Sequence, residues 1–243
     1  IARHSVPAPA PISPEQQKLL DEAARLRGSG RRHLQARQYD RAEGPLREAV
    51  ALMDGLLANA SDTEAASAAL YEKYRCHELL GEYLERESAF RAYLRDLRRD
   101  QGDEAAAREL VQDARRLICT GDSETAGRRL EQALALTPNG PVAVAAHAVM
   151  ASAAERQRLF DLAHSQYRMA LQEKPPPRLA AAIYRNMIAL NAYRGRLDAA
   201  VADAEVLCAL PREGLPPQDC VRHRCLLARL HRRSGETGKA VRR

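Results

Sequence analysis

The sequence contains no tryptophan, only two phenylalanines (Phe90 and Phe160) and an aromatic fraction of 4%. Strands favour aromatic and β-branched residues, and no segment alternates such residues strongly enough to indicate a strand. This scarcity argues against a sheet as the main architecture. The apolar fraction of 45% is sufficient for a folded core. That core must be built largely from alanine and leucine, which suit close contacts between helices.

The chain also lacks any stretch that approaches the roughly 18 consecutive apolar residues of a membrane-spanning helix. No signal peptide is visible. The five cysteines are too scattered, and odd in number, to form a disulfide framework, so we expect reduced thiols and a cytoplasmic protein. Because the sequence begins at Ile1, a periplasmic or membrane-anchored location stays open if a targeting segment precedes it.

Lysine is scarce as well: four of the 38 basic residues are lysines, so nearly all positive charge comes from arginine. The formal net charge is +6 and the isoelectric point is about 9.2. The excess of arginine and alanine is typical of GC-rich coding, and we expect a bacterial source. Acidic residues run through the same segments. The basic balance therefore fits either an ordinary solvated surface or a functional basic face.

One compact group of candidate metal ligands contains Cys220, His223 and Cys225, with His231 further along the chain. Zinc sites typically combine two closely spaced pairs of ligands. This group has a C-x4-C spacing and no second cysteine pair. We therefore interpret it as structural cysteines with surface histidines, and we predict no metal site.

Nothing in the sequence marks a catalytic or cofactor site. Cys119 precedes Thr120-Gly121 and is interpreted as a packing residue at a helix terminus. The glycines of 28–30 and the segment GETGK at 235–239 lack the spacing and the Ser/Thr of a phosphate-binding loop. Catalytic partners can be distant in a chain, but no such pair is indicated. We predict that the protein is not an enzyme and needs no cofactor.

Helical periodicity dominates after a short opening segment. Residues 1–14 alternate proline and alanine, which favours an extended linker. Ser13-Pro14-Glu15 has the N-cap, first-turn proline and first-turn acid of a helix start. Apolar residues then recur at helical spacing, and turn-forming residues interrupt them at intervals. The predicted fold class is therefore all-α.

An internal repeat is the most informative feature. It places a small residue first, a large apolar residue four positions later, and another small residue after that. The phrase reads QYDRAEGPLREAVAL at 38–52, DSETAGRRLEQALAL at 122–136 and LFDLAHSQYRMAL at 159–171, with looser copies at 83–94, 196–207 and 236–240. Its first position is occupied by Ala42, Arg86, Ala126, Ala163, Ala200 and Ala240, at separations of 37 to 44 residues. We expect the small residues to let paired helices approach closely and the large one to fill the gap between neighbours.

The phrase resembles the tetratricopeptide repeat (TPR) family across most of residues 20–240. The resemblance implies a TPR-like α-solenoid of about five to six antiparallel helix pairs in a curved right-handed array. The sequence departs from the family because it lacks the tryptophan that TPR units usually have in their first helix. In that position stand Leu26, Leu70, Leu110, His147, Tyr184 and Arg224. After the linker at 1–14, the repeat domain at 15–243 would contain units at 20–57, 64–100, 104–138, 142–176, 178–212 and an incomplete 218–243.

In this family the first helices of the units line a concave groove that commonly holds a peptide or a partner helix. The resemblance therefore implies a row of arginines and tyrosines facing or rimming the groove. These residues are Arg27, Arg31, Tyr71, Arg75, Arg108, Arg115, Arg185, Tyr193, Arg222 and Arg229. Because the arginine fork pairs with carboxylates, we expect an acidic or carboxylate-bearing partner segment.

The leading hypothesis is a protein-interaction scaffold or adaptor, as one segment of a larger multidomain protein. One alternative is nucleic-acid (RNA) binding through an arginine-rich face, although stacking aromatics are scarce and no regular pairs of specificity residues are visible. Another is a sensor or regulatory module of an attached enzyme. The sequence does not identify the partner, the pathway or the oligomeric state.

Overall fold

The computed structural model describes residues 10–59, 64–211 and 215–235. Those ranges contain eleven α-helices and no β-strand. The helices are α1 (Pro14–Gln35), α2 (Tyr39–Asn59), α3 (Glu64–Leu80), α4 (Tyr83–Gln101), α5 (Asp103–Thr120), α6 (Ser123–Leu136), α7 (Pro141–Arg156), α8 (Phe160–Gln172), α9 (Pro177–Tyr193), α10 (Leu197–Ala209) and α11 (Pro217–Arg233). The fold is an all-α, TPR-like helical repeat, as predicted. No helix in the described ranges is both long and apolar enough to cross a bilayer.

The contacts divide the chain into two units, and the boundary falls within α5, between Ala106 and Ala107. In unit 1, α1 packs on α2, α2 on α3 and α3 on α4, while α1 also contacts α3. In unit 2, each helix from α6 to α11 packs on the next. Within each unit, these helices therefore pack on the helices that follow them in the chain, which is how helical repeats build their core.

The repeat phrase forms the core of both units. Its first small residues Ala42, Ala126, Ala163 and Ala200 are at most 2% exposed. The large residues four positions later are buried to the same degree in the first four units. They are Leu46, Phe90, Leu130 and Tyr167. The packing explanation for the phrase is therefore confirmed where the structure describes it, while the copy at 236–240 lies outside the described residues.

The first helix begins where the sequence predicts. Ser13 has extended backbone angles, and its side chain accepts a hydrogen bond from the Gln16 backbone N–H (3.2 Å), while Gln16 Oε1 accepts from the Ser13 N–H (2.9 Å). This reciprocal pair is a capping box. Just before it, the Ala10 carbonyl accepts from the Glu64 N–H (3.3 Å), and Ile12 packs against the core of unit 1. The end of the proline-alanine segment is therefore held against the first unit.

The glycines of 28–30 do not interrupt α1. Gly30 is buried, and a β-carbon built on it would lie 2.5 Å from Leu46 Cγ and 3.2 Å from the Ala42 carbonyl oxygen. Gly30 therefore serves the close packing of a neighbouring helix. The absence of a side chain lets α2 approach α1 at this point.

Candidate functional site

Two of the predicted groove arginines in unit 1 are engaged within the protein. Arg27 on α1 pairs with Glu72 on α3 through two hydrogen bonds, from Nε (2.6 Å) and Nη2 (3.2 Å). Arg75 lies 3.2 Å from Glu78 on the same helix. All four side chains are at least three-quarters buried. These arginines therefore contribute to the contacts of α1 and α3, and they offer little charge to a ligand.

The other two predicted residues of unit 1 differ from this pair. Arg31 is exposed at the far end of α1. Tyr71 is half-buried and belongs to an aromatic cluster with Tyr74, Phe90 and Tyr93, in which adjacent ring centroids lie 4.8 to 6.3 Å apart. Tyr71 thus lines a cleft of α3 and α4 and does not share an environment with exposed arginines.

In unit 2 the odd-numbered helices are neighbours on one side of the unit. The Arg156 guanidinium of α7 donates to the Ile118 carbonyl of α5 (3.3 Å). Val144 of α7 and Ile183 of α9 belong to one apolar cluster. Apolar side chains of α9 and α11 share another cluster. The odd-numbered helices of unit 2 are thus linked in series by side-chain contacts, and we refer to their exposed residues together as one surface of unit 2.

Five predicted arginines lie on this surface, and we call them the arginine face. They are Arg108 and Arg115 on α5, Arg185 on α9, and Arg222 and Arg229 on α11. All five are exposed. On both α5 and α11 the two arginines are seven residues apart, which is two turns and places them in one stripe. Their predicted position along a concave groove stays a prediction.

Charge compensation on the arginine face is sparse. Arg222 lies 3.5 Å from Asp219 one turn earlier. In the described part of the chain, Arg115, Arg185 and Arg229 have no ion pair or hydrogen bond with another side chain. Burial, and then the charge of Arg185, lowers the pKa of His223 on the adjacent helix. The charge of Arg185 thus acts on His223, and Asp219 opposes it there.

A polar cluster in unit 2 joins residues of α7, α8 and α9. The Tyr167 hydroxyl accepts a hydrogen bond from Asn186 Nδ2 (3.1 Å) and also interacts with Ser152 and Glu155. Burial raises the pKa of Glu155, against the lowering effect of its hydrogen bond with Tyr167. Glu155 is the acid of this cluster, and burial disfavours its ionised form.

Tyr193 stands apart from the arginine face. It is 70% exposed at the end of α9, and its ring meets Phe160 edge-on at 5.5 Å between centroids. Beside it, Arg194 donates two hydrogen bonds to Asp161 (2.6 and 3.2 Å). Tyr193 therefore marks the junction of α8 and α9, where an exposed ring is held in place by its neighbours.

The compact cysteine and histidine group differs from its sequence interpretation. His223 and His231 are 3% and 1% exposed, whereas Cys225 is exposed and Cys220 is half-buried. The prediction of surface histidines was wrong, because both histidines lie on the buried side of α11. Cys119 is also exposed, so its interpretation as a packing residue was wrong. In the described ranges, no group of three or more His, Cys, Asp or Glu side chains is arranged to hold a metal.

Sequence reasoning missed a buried ionic contact in unit 2. Asp113 of α5 and Arg129 of α6 are 1% and 4% exposed, and Arg129 Nε donates to Asp113 Oδ2 at 3.0 Å. Arg116 extends the network to Glu109 (2.9 Å). Charged residues inside an apolar stripe give no periodic signal, so only the packed structure reveals that they are paired.

Comparisons with known proteins bear on the fold. No family model matches the chain, and no curated protein matches it. The crystal structure of BtubC (BKLC) from P. vanneervenii is similar, with a TM-score of 0.54 and 18% identity over 94% of this chain and 87% of that chain. PilW, a widely conserved type IV pilus biogenesis factor, gives a TM-score of 0.46 and 14% identity over 94% of this chain and 89% of that chain. This similarity is too low to support an inference about this protein. The likeness to BtubC supports the helical fold alone.

Proposed function

We propose that this chain is a protein-interaction module that acts by binding, without catalysis, and that the arginine face of unit 2 holds an acidic segment of its partner. The observation that carries the proposal is that the predicted groove arginines differ in burial and in ion pairing between the two units. Arg27 and Arg75 in unit 1 are paired with acids, whereas Arg115, Arg185 and Arg229 in unit 2 are exposed and have no side-chain partner among the described residues. A surface with unsatisfied guanidinium groups favours carboxylates.

The chemistry of arginine sets what the partner segment must offer. A guanidinium group presents five donors in a fixed fork and pairs with a carboxylate through two parallel hydrogen bonds. Two arginines separated by two helical turns lie about 10 Å apart along the helix. A segment with carboxylates spaced over that distance would reach both members of a stripe. Charge would guide the encounter and set the register of the bound segment.

A binding experiment with charge-matched variants tests this proposal. The probe is a fluorescein-labelled peptide of repeated Glu-Ala-Glu-Leu, and binding is followed by fluorescence anisotropy. The test variant carries Arg115→Ser, Arg185→Ser and Arg229→Ser. We expect its affinity to fall at least about 10-fold, because each lost charge-assisted hydrogen bond is worth about 0.5 to 1.5 kcal/mol.

The control carries Arg41→Ser, Arg91→Ser and Arg95→Ser, which remove the same charge from exposed positions on α2 and α4 of unit 1. We expect its affinity to stay within about twofold of the parent. Equal losses in both variants would show that only net charge matters. A single-stranded RNA probe is run in parallel. If RNA binds through the three arginines and the acidic peptide does not bind, the surface serves nucleic acid and the proposal is wrong.

A further inference from the structure

Unit 1 contains a cleft between α3 and α4 whose chemistry is opposite to that of the arginine face. Its volume is about 520 Å³, which is sufficient for a side chain or a small ligand. Its lining residues are Glu64, Ser67, Ala68, Tyr71, Tyr93, Leu97, Asp100 and Gln101. No Lys, Arg or His is among these residues, although the protein has a net charge of +6.

Two tyrosines form walls of this cleft. The rings of Tyr71 and Tyr93 lie 5.2 Å apart between centroids, with their planes tilted by 51°. Both side chains are half-buried, whereas Tyr74 and Phe90 behind them are 1% and 0% exposed. The two inner rings are explained by core packing. The two outer rings remain accessible in the cleft, in a chain with only ten aromatic residues.

Two acidic residues complete the lining. Glu64 is exposed and has no ion pair or side-chain hydrogen bond among the described residues. Asp100 is mostly buried, and its Oδ1 accepts from Arg99 Nε at 2.8 Å, which holds the carboxylate in position. Leu97 and Ala68 add an apolar surface. The cleft thus combines aromatic rings, carboxylates and a short apolar floor.

We propose that this cleft binds an arginine side chain of a partner polypeptide. A cation near the face of a tyrosine ring is attracted by the electrons of the ring. A guanidinium group can stack on such a ring and at the same time donate to a carboxylate, whereas a compact ammonium group is held more tightly by water. The methylene stem of the same side chain would lie along Leu97 and Ala68. No cationic side chain lines the cleft, and since Asp100 already accepts from Arg99, Glu64 is the carboxylate that provides the charge complementarity for this occupant.

The experiment follows the tyrosine rings directly. The protein is prepared with ¹³C-labelled tyrosine rings and titrated by NMR with the peptide acetyl-Gly-Ala-Arg-Ala-Gly-amide. The same peptide with Gln, Lys or Glu in place of Arg is titrated in parallel. We expect the Arg peptide to shift the signals of Tyr71 and Tyr93 at lower concentration than the other three. Tyr71→Phe and Tyr93→Phe assign the two signals.

Substitutions distinguish the contributions of the tyrosine ring, the carboxylate and apolar packing to binding of the Arg peptide. Tyr71→Leu removes the ring but keeps an apolar side chain, and we expect it to weaken binding by about 3- to 30-fold. Tyr71→Phe keeps the ring and should bind within about twofold of the parent. Glu64→Gln should weaken binding by about 1.5- to 5-fold, because it removes an exposed carboxylate. Tyr83→Leu and Glu85→Gln, on α4 but outside the cleft, are the matched controls and should have no effect.

Several outcomes would overturn the inference. One is a failure of the Arg peptide to shift either tyrosine signal at the highest soluble concentration. Another is equal binding of the Glu or Gln peptide, or an equal loss of affinity in the Tyr83→Leu control. Tighter binding of the Lys peptide would reject the guanidinium assignment. Because the Arg peptide is cationic and the variants lie in unit 1, the result is independent of the acidic-peptide experiment on unit 2.

Discussion

At the scale of single residues, Gly30 is the position where the close approach of two helices leaves no room for a side chain. A β-carbon there would lie 2.5 Å from Leu46 Cγ. We predict that Gly30→Ala lowers the free energy of unfolding by about 1 to 3 kcal/mol, because overpacking outweighs the better helix propensity of alanine. Urea denaturation followed by circular dichroism measures the change.

Gly28 provides the control for that prediction within the same helix. A β-carbon at Gly28 would have only Arg32 Nη1 within 4 Å, at 3.8 Å, and this atom is the end of a flexible side chain. Gly28→Ala should therefore raise the free energy of unfolding by up to about 1 kcal/mol through helix propensity alone. If both variants were stabilised equally, the close-packing explanation for Gly30 would be wrong.

The sequence predicted correctly which residues of the repeat phrase are buried. It did not predict which arginines form ion pairs. The repeat phrase identified buried small and large residues, because each kind recurs at one position in most of the described units. It did not separate Arg27 from Arg115, since both follow the same helical spacing. Arg27 is neutralised by Glu72, 45 residues further along the chain. Only the packing of α1 on α3 brings that acid into reach.

At the scale of elements, a left-handed residue ends the first helix of every unit, five positions before the first position of the repeat phrase. Gly81, Gly121, Gly195 and Gly235 fill four of these sites, with φ between 73° and 94°. Arg37 and Arg158 fill the other two, with φ of 58° and 60°. Glycine adopts this conformation at little cost, whereas a residue with a β-carbon is strained by about 1 to 2 kcal/mol.

Because some units have glycine at this site and others have arginine, we expect substitutions there to have opposite effects on stability. Arg158→Gly should raise the free energy of unfolding by about 0.5 to 1 kcal/mol, and Gly195→Ala should lower it by about 1 kcal/mol. The two turns have the same hydrogen bonds: the next N–H donates to the carbonyl five residues earlier, at 2.9 Å in both. Thermal melts of both variants measure the changes.

A stabilising effect of Gly195→Ala would contradict the explanation by backbone strain. No atom lies within 4 Å of a β-carbon at Gly195, so a steric clash cannot account for a loss of stability there. Arg158 has no ion pair in the described part of the chain, so its removal costs no such contact.

Element boundaries were largely predictable because the local signals agree with one another. The Ser13 cap, the prolines that open α7, α9 and α11, and the glycine turns all lie where helices begin or end. The contact between Asp113 and Arg129 was not predictable. Two charges can replace apolar residues in a core only when they satisfy each other, and that depends on the distance between two helices.

At the scale of the whole molecule, the five free cysteines span very different environments. Cys76 is 0% exposed in the core of unit 1, and burial, together with the charge of Glu72, raises its pKa to about 12. Cys119 and Cys225 are exposed in unit 2. We predict that iodoacetamide at mildly alkaline pH modifies Cys119 and Cys225 in the native protein and leaves Cys76 unmodified, because only an accessible thiolate reacts.

Mass spectrometry of the digested protein measures the modification at each cysteine. In guanidinium chloride without a reducing agent, all five cysteines should react, since none is in a disulfide. Modification of Cys76 in the native protein at the rate seen for Cys119 would show that the core of unit 1 opens readily. Incomplete reaction in denaturant would point to a disulfide that the structure does not contain.

The sequence by itself determined the class of architecture. Its scarcity of aromatic residues, its helical periodicity and a repeat of 37 to 44 residues all depend on local or near-neighbour interactions, which a repeat protein uses throughout. The tertiary structure decided which charges are available. It paired Arg27 and Arg75 with acids, left the arginine face of unit 2 exposed, and assembled the cation-free tyrosine cleft from residues on two helices. Electrostatic character depends on distances and burial in three dimensions, and the order of residues along a chain does not contain these.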